Sequence, residues 1–233
     1  MTKSFTDPEF GEITVSFRAG QRSIRLSMST DGRLQASAPK YTPVIAIKAM
    51  VNASRPKIQK LFMHHLTPAV YESGQQIGKS HRLTVVPVAD TQQPSIRVQG
   101  QNIMLRLPQG TTLDSADIQR LIRDNVIKVF RTEAKAYLPR RLRYLAHSYG
   151  FTYERVRFSH AGTRWGSCSS NGTISLNIAL MKLPSDLIDY VIIHELSHTK
   201  HMNHSQAFWD LVGAYDPDYK KHRKLMKLEH PII

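Results

Sequence analysis

The sequence holds a single cysteine, Cys168, among 233 residues, so no disulfide can form within the chain. No apolar leader is visible in MTKSFTDPEFGEITVSF, and the expectation is a cytoplasmic protein. No stretch approaches the roughly 18 unbroken apolar residues that a membrane span needs, so no membrane partner is expected. Acidic residues are scarce: 18 Asp and Glu stand against 32 Lys and Arg, a formal net charge of +14. Glycine and proline, 12 each, are too few for a collagen-like or low-complexity chain, and no internal repeat is visible. There is no G-x-x-x-x-G-K-[ST] loop, which excludes a P-loop nucleotide hydrolase.

What is present suffices for a core, since 41% of the residues are hydrophobic. The basic excess is spread over both halves and is not gathered in a tail. It raises the local concentration of anions, whether nucleic acid, nucleotide or acidic protein.

The first part of the chain reads as β-rich. Glu12–Arg18 alternates and faces Ser23–Met28 across Ala19-Gly20 as a hairpin, and Arg33–Ala38 follows the Asp31-Gly32 turn. Thr42 caps a helix with Pro43 at its first position, and Ser54 opens a second over Lys57–Leu66. His81–Val88, Ser95–Gln99 and Asn102–Leu107 are strands, the last two joined through Gly100-Gln101. After Pro108 the texture turns helical. Leu113–Gly150 carries an apolar stripe from an Asp114 cap, Pro139 should kink or split it, and Gly150 ends it. Short strands follow at Arg155–Ser159, around Trp165–Ser169 and at Thr173–Asn177. Helices start at Leu183-Pro184, after Ser205 (Gln206–Ala214) and at Asp216-Pro217. The expected class is α+β, with a β-rich N-terminal lobe (1–108) and an α+β lobe (109–233).

Four histidines fall within His194-Glu195-Leu196-Ser197-His198-Thr199-Lys200-His201-Met202-Asn203-His204. His194 and His198 sit one helical turn apart, so both imidazoles can reach one zinc. Glu195 lies beside them, placed to take a proton from a metal-bound water. Leu187, Ile188, Val191, Ile192 and Ile193 mark the helix as buried, and polar side chains on a buried helix need partners that a metal supplies. A third ligand is required. On an unbroken helix it would be His201. If the helix stops near Met202–Asn203, with Ser205 capping a new one, it is His204, which is preferred; Glu229 is a weaker rival.

Three blocks give the chain a family likeness: Arg164-Trp165-Gly166-Ser167-Cys168-Ser169, Gly172–Asn177 running on to Leu183-Pro184, and Asp189–His198 continuing through Asn203-His204-Ser205 to Trp209. Together they resemble the YgjP-type metal-dependent hydrolases, related to the SprT and WLM groups of zinc-peptidase-like proteins. The resemblance implies a zincin-like C-terminal lobe, with zinc held by His194, His198 and His204 and with Glu195 as catalytic base. It also implies that Thr173–Asn177 lies beside the cleft, where such a strand pairs with an extended substrate, so Thr173, Ser175 and Asn177 join the candidate site.

Arg164 is placed to hold a substrate carboxylate or phosphate, and Trp165 to wall the cleft or fill the core. Cys168 reads better as a small buried thiol than as a ligand. Asp189 or Tyr190 is positioned to orient a ligand histidine, and His160, Arg164, His201 and His222 are candidates for an oxyanion donor. The first functional reading is a zinc-dependent hydrolase, a metallopeptidase acting on polypeptide. A second keeps the metal, with magnesium or manganese as alternatives, and makes a phosphate-containing substrate the target through phosphoanhydride hydrolysis. A third is a basic protein with a zinc site that contacts nucleic acid weakly and without sequence preference.

Overall fold

The structure is a computed structural model that describes residues 2–28, 33–59 and 70–233. The Asp31-Gly32 turn and the end of the Lys57–Leu66 helix lie outside the described residues. The class is α+β, and the chain forms two compact units, Met1–Ala69 and Val70–Ile233.

The first unit carries β1 (Thr2–Asp7), β2 (Gly11–Arg18), β3 (Arg25–Met28), β4 (Leu34–Pro39) and the helix α1 (Val44–Ala53). Its sheet runs β1-β2-β4-β3. Alternate residues point inward, so Ile13 and Val15 of β2 meet Leu34, Ala36 and Ala38 of β4, and Ile47 and Val51 of α1 close over them. The expected hairpin between Glu12–Arg18 and Ser23–Met28 does not form. β2 pairs antiparallel with β1 and parallel with β4, and β3 pairs with β4 instead. The turn between β1 and β2 is fastened by Asp7, which accepts from the Glu9 and Phe10 amides and pairs with Arg55 at 2.9 Å.

The second unit begins with a sheet of the same topology. β5 (Gln76–Ile77), β6 (His81–Val88), β7 (Ser95–Gln99) and β8 (Asn102–Pro108) lie in the order β5-β6-β8-β7. In each sheet the first two strands are antiparallel, the second and fourth parallel, and the third and fourth antiparallel. A helix follows each, with a buried pair one turn apart, Ile47 and Val51 in α1 and Ile118 and Ile122 in α2 (Ala116–Tyr149). Ser23-Ile24-Arg25-Leu26 recurs as Ser95-Ile96-Arg97-Val98 at the third strand, and Pro39 and Pro108 end the fourth. The chain therefore holds a repeated unit that reading the sequence alone did not detect, because few residues keep their likeness while the pairing keeps its pattern.

The division expected at Pro108 falls inside the second unit. Leu83, Ile103 and Leu105 of the sheet share one core with Ile118, Ile122 and Val126 of α2. The change at Pro108 is one of secondary structure, not of core. α2 runs unbroken over 34 residues with Pro139 inside it. The carbonyl that Pro139 leaves without a donor belongs to the exposed Lys135, where water can take the bond. Gly150 stops the helix in the left-handed conformation at φ 67°, as expected.

The rest of the unit supplies the site. β9 (Arg155–Ser159), β10 (Gly166–Cys168) and β11 (Thr173–Asn177) form a sheet in the order β10-β11-β9. A short 3-10 turn over Ile178–Lys182 leads into α3 (Ser185–Ser197), followed by α4 (Gln206–Tyr215) and α5 (Tyr219–Met226). Among the described residues no helix is long and apolar enough to cross a membrane.

Candidate metal centre

α3 is buried nearly all round: Ile188 and Ile192 are fully enclosed, and Leu187, Val191 and Ile193 almost so. Its last turn delivers His194 and Glu195, and His198 stands at its C-cap. The helix stops there, sooner than the break expected near Met202–Asn203. Two side chains bond its closing carbonyls, the Ser197 hydroxyl donating to that of Ile193 at 2.8 Å and the Thr199 hydroxyl to that of Leu196 at 2.8 Å, while the His198 Nδ1 donates at 3.0 Å to the His201 carbonyl in the turn beyond the helix. The chain then turns back through Asn203 and restarts at Ser205 as α4.

This turn brings His204 to the other two. One ligand atom from each of His194, His198 and His204 lies within 4.8 Å of the others. The Nε2 atoms of His194 and His204 are 3.1 Å apart. Nitrogens at 2.0–2.1 Å from a tetrahedral zinc stand about 3.3 Å from one another, so the separation suits a shared ion. His201 stays outside this group; its carbonyl fixes His198 so that Nδ1 is occupied and Nε2 is left free.

Two buried polar atoms at this point have no hydrogen-bond partner, His194 Nδ1 and Glu195 Oε2. An unmet buried carboxylate oxygen is costly unless an ion or water answers it. Burial, then the neighbouring His198 and His204, then Arg223, push the His194 imidazole down to about 3. Burial likewise lowers His198, against the bond to the His201 carbonyl. Both are therefore neutral near pH 7, the form that binds metal. Burial pushes the Glu195 carboxyl up to about 8, with Arg164 pulling the other way. A carboxyl poised near neutrality suits a base that must also give its proton back. The donor set, three imidazoles beside a buried carboxyl group with one unpartnered oxygen, fits a borderline divalent ion such as zinc.

Two residues that sequence reasoning missed complete the centre. Phe208 is fully buried, stacks on His198 at 4.5 Å, and meets His204 and His194 in T-shaped contacts at 4.8 and 5.0 Å, so α4 backs all three imidazoles. The signal was there, an apolar residue one turn after His204. Gly166 on β10 lies against the Glu195 side chain, where a Cβ would stand 2.6 Å from Oε1. No sequence pattern shows that approach, because it joins two segments far apart in the chain.

Other expected residues take different positions. β11 is central, with β10 on one side and β9 on the other, so its main chain has no edge to offer a substrate. Thr173 and Asn177 are buried. Asn177 donates to the carbonyls of Ala161 and Arg164 at 2.6 and 2.9 Å and accepts from the Ala179 amide, so it fastens the loop that carries Arg164. Ser175, half-buried, pairs with Ser167 across the sheet. The edge strands of this sheet are β9 and β10, and β10 is the one that lies against Glu195. Arg164 is exposed and forms no ion pair among the described residues. Trp165 is half-buried with Lys182 5.5 Å over its ring.

Asp189 does not orient a ligand histidine; it pairs with both Nε and Nη2 of Arg141, at 2.7 and 2.5 Å, and ties α3 to α2. Tyr190 packs 6.0 Å from the His194 ring. His222 is held by Asp216 at 2.8 Å. Cys168 is half-buried rather than enclosed, and its thiol is pushed up by burial and by Glu195. Neither Cys168 nor Glu229 belongs to the three-histidine group.

A helix that ends in two imidazoles and a carboxyl group, with a third imidazole folded back onto them, is an arrangement that can hold a divalent metal. The family model described as YgjP-like, metallopeptidase domain matches residues 22–229, and the chain belongs to that family. It is accordingly a metal-dependent hydrolase of a metallopeptidase family. No curated protein matches it. Among solved structures it is similar to the metallopeptidase zymogen abylysin of Pyrococcus abyssi, with 27% identity and a TM-score of 0.36 over 41% of this chain and 98% of that one. It is also similar to the zymogen jannalysin of Methanocaldococcus jannaschii, with 20% identity and a TM-score of 0.34 over 39% of this chain and 96% of that one.

Proposed function

We propose that the chain is a zinc metallopeptidase in which His194, His198 and His204 hold the metal and Glu195 is the general base. The observation that carries the reading is the convergence of three imidazoles on one point beside a buried carboxyl group with an unpartnered oxygen. A bound zinc supplies Lewis acidity, acidifying water and polarising a carbonyl. Glu195 takes the proton at Oε2 as water attacks the peptide carbon, and returns it to the leaving nitrogen. Burial serves both transfers, since a carboxyl near neutrality accepts and gives with little driving force lost in either direction. The His198 to His201 bond keeps one ligand ring in a single tautomer. An extended substrate adds to the free edge of β10, so main-chain bonds give affinity with little demand on sequence. Arg164, exposed on the loop that Asn177 fastens, stands two residues before β10 in the chain. The catalytic part falls within 109–233, where all of these residues lie.

The test is Glu195→Gln. It preserves size and removes the base, so metal content and fold should stay while cleavage of an unfolded polypeptide falls about 10²–10⁴-fold. Near-wild-type cleavage by this variant, on a substrate that the wild type cuts, refutes the assignment.

A further inference from the structure

The mechanism above leaves one strongly charged group at the metal centre without a task. Arg223 lies on α5 with its guanidinium 4.3 Å from the centre of the Trp209 ring. Trp209 in turn lies 5.5 Å from the His204 ring and 5.8 Å from that of His194. One indole therefore links the guanidinium to two of the three imidazoles. The arrangement is anchored on both sides of Arg223. Tyr219, one turn earlier on α5, stacks on the same indole at 5.7 Å and 16°, and His222 is pinned by Asp216.

Arg223 has no acidic partner among the described residues, and the acids beside its neighbour His222 pair with that histidine. Asp216 accepts from His222 Nδ1 at 2.8 Å, and Asp186 stands 3.8 Å from His222 Nε2. Those carboxylates are engaged with the histidine, while the guanidinium keeps its donors free. The field of Arg223 reaches the buried Tyr190 and His194. A cation held flat on an indole loses little freedom on gaining a partner, and its planar fork matches a carboxylate through two parallel hydrogen bonds.

We propose that Arg223 is a specificity-determining residue that receives a carboxylate of the polypeptide substrate beside the scissile bond. The proposal rests on the peptidase reading, because an unmodified polypeptide carries negative charge only as carboxylate. That carboxylate comes either from an Asp or Glu side chain or from the C-terminus. Arg164, whose charge acts on Glu195, is a second guanidinium without an ion pair among the described residues, and it adds to a preference for anionic over cationic peptides.

The test uses zinc-loaded Glu195→Gln protein, which binds without turnover, and short peptides of one sequence. One pair ends in a free carboxylate or an amide, and a second pair carries Asp or Asn within the chain. Binding is read by calorimetry. The carboxylate member of at least one pair should bind about tenfold to a hundredfold tighter than its neutral partner. The pair that shows the preference identifies the source of the carboxylate. Adding Arg223→Gln should bring the ratio to about one, whereas Arg223→Lys, which keeps charge but loses the fork, should retain part of it. Equal binding within both pairs, or a preference that survives Arg223→Gln, overturns the proposal. Wild-type cleavage of the same peptides is the separate test of the peptidase reading. No cleavage with an Arg223-dependent preference defeats that reading and leaves an anion site standing; cleavage without preference does the reverse.

Discussion

Gly166→Ala tests how closely the base is held. A methyl at position 166 would stand 2.6 Å from Glu195 Oε1, 2.7 Å from Cγ and 2.9 Å from Cδ. Ordinary carbon contacts begin at about 3.5 Å, so something must move by nearly 1 Å. The backbone at Gly166 has no positive φ, so alanine is not strained there in its own right. Glu195 has little room to retreat, being 5% exposed on a helix whose next residue, Leu196, is fully enclosed. Overpacking of this kind costs about 1–3 kcal/mol. For a chain of this size that lowers Tm by roughly 2–4 °C for each kcal/mol. The larger effect is on chemistry, since a misplacement of about 1 Å can cost 10²-fold in rate. Peptide hydrolysis should show kcat reduced by about that factor, with metal content unchanged because no histidine is touched. In a double-mutant cycle the thermal cost of Gly166→Ala should largely vanish in a Glu195→Ala background, where the clashing atoms are gone. Wild-type kcat and Tm in Gly166→Ala would refute the reasoning, and so would an equal thermal cost in both backgrounds.

Two further outcomes follow from burial and charge. In the metal-free protein the raised carboxyl of Glu195 means that the folded state loses stability as pH rises from the ordinary value of 4.5 to about 8. Glu195→Gln should therefore raise the Tm of metal-free protein at pH 8.5, by the equivalent of a few kcal/mol at most, and change it little at pH 4.5; the same change at both pH values would show that burial of the charge is not the cause. Any nucleic-acid binding should be weak, indifferent to sequence and steeply salt-dependent, because α5 and its neighbours supply charge without a reading motif; tight binding to one sequence at high salt would contradict this.

The clustering of His194, His198 and His204 beside Glu195 was largely legible in the sequence because it depends mainly on local spacing. His194, Glu195 and His198 are fixed by helical spacing. The choice of His204 over His201 turned on a capping argument that placed the helix end a few residues too late, because the Ser197 and Thr199 hydroxyls take carbonyls of the last turn and the His198 ring bonds the turn beyond it. What depended on strand pairing was less legible. Alternation identified β2, β6 and β11 as strands, yet it does not say which strand lies beside which. The hairpin assigned to β2 and β3, the edge position assigned to β11 and the overlooked repeat are failures of that one kind. Asn177 shows the same limit for a side chain. It read as a substrate contact beside the cleft, and its amide is spent on the carbonyls of Ala161 and Arg164.

The most direct test of the account is the metal stoichiometry of single histidine variants, measured by elemental analysis after purification and exposure to zinc. The wild type should carry about one zinc per chain, since three imidazoles form an open site. His194→Ala, His198→Ala and His204→Ala should each lose tight binding while remaining folded. His201→Ala should keep the ion, because His201 acts through its main-chain carbonyl. Loss of zinc in His201→Ala with retention in His204→Ala, or full occupancy in His194→Ala or His198→Ala, would contradict the three-histidine site on which the proposed function stands.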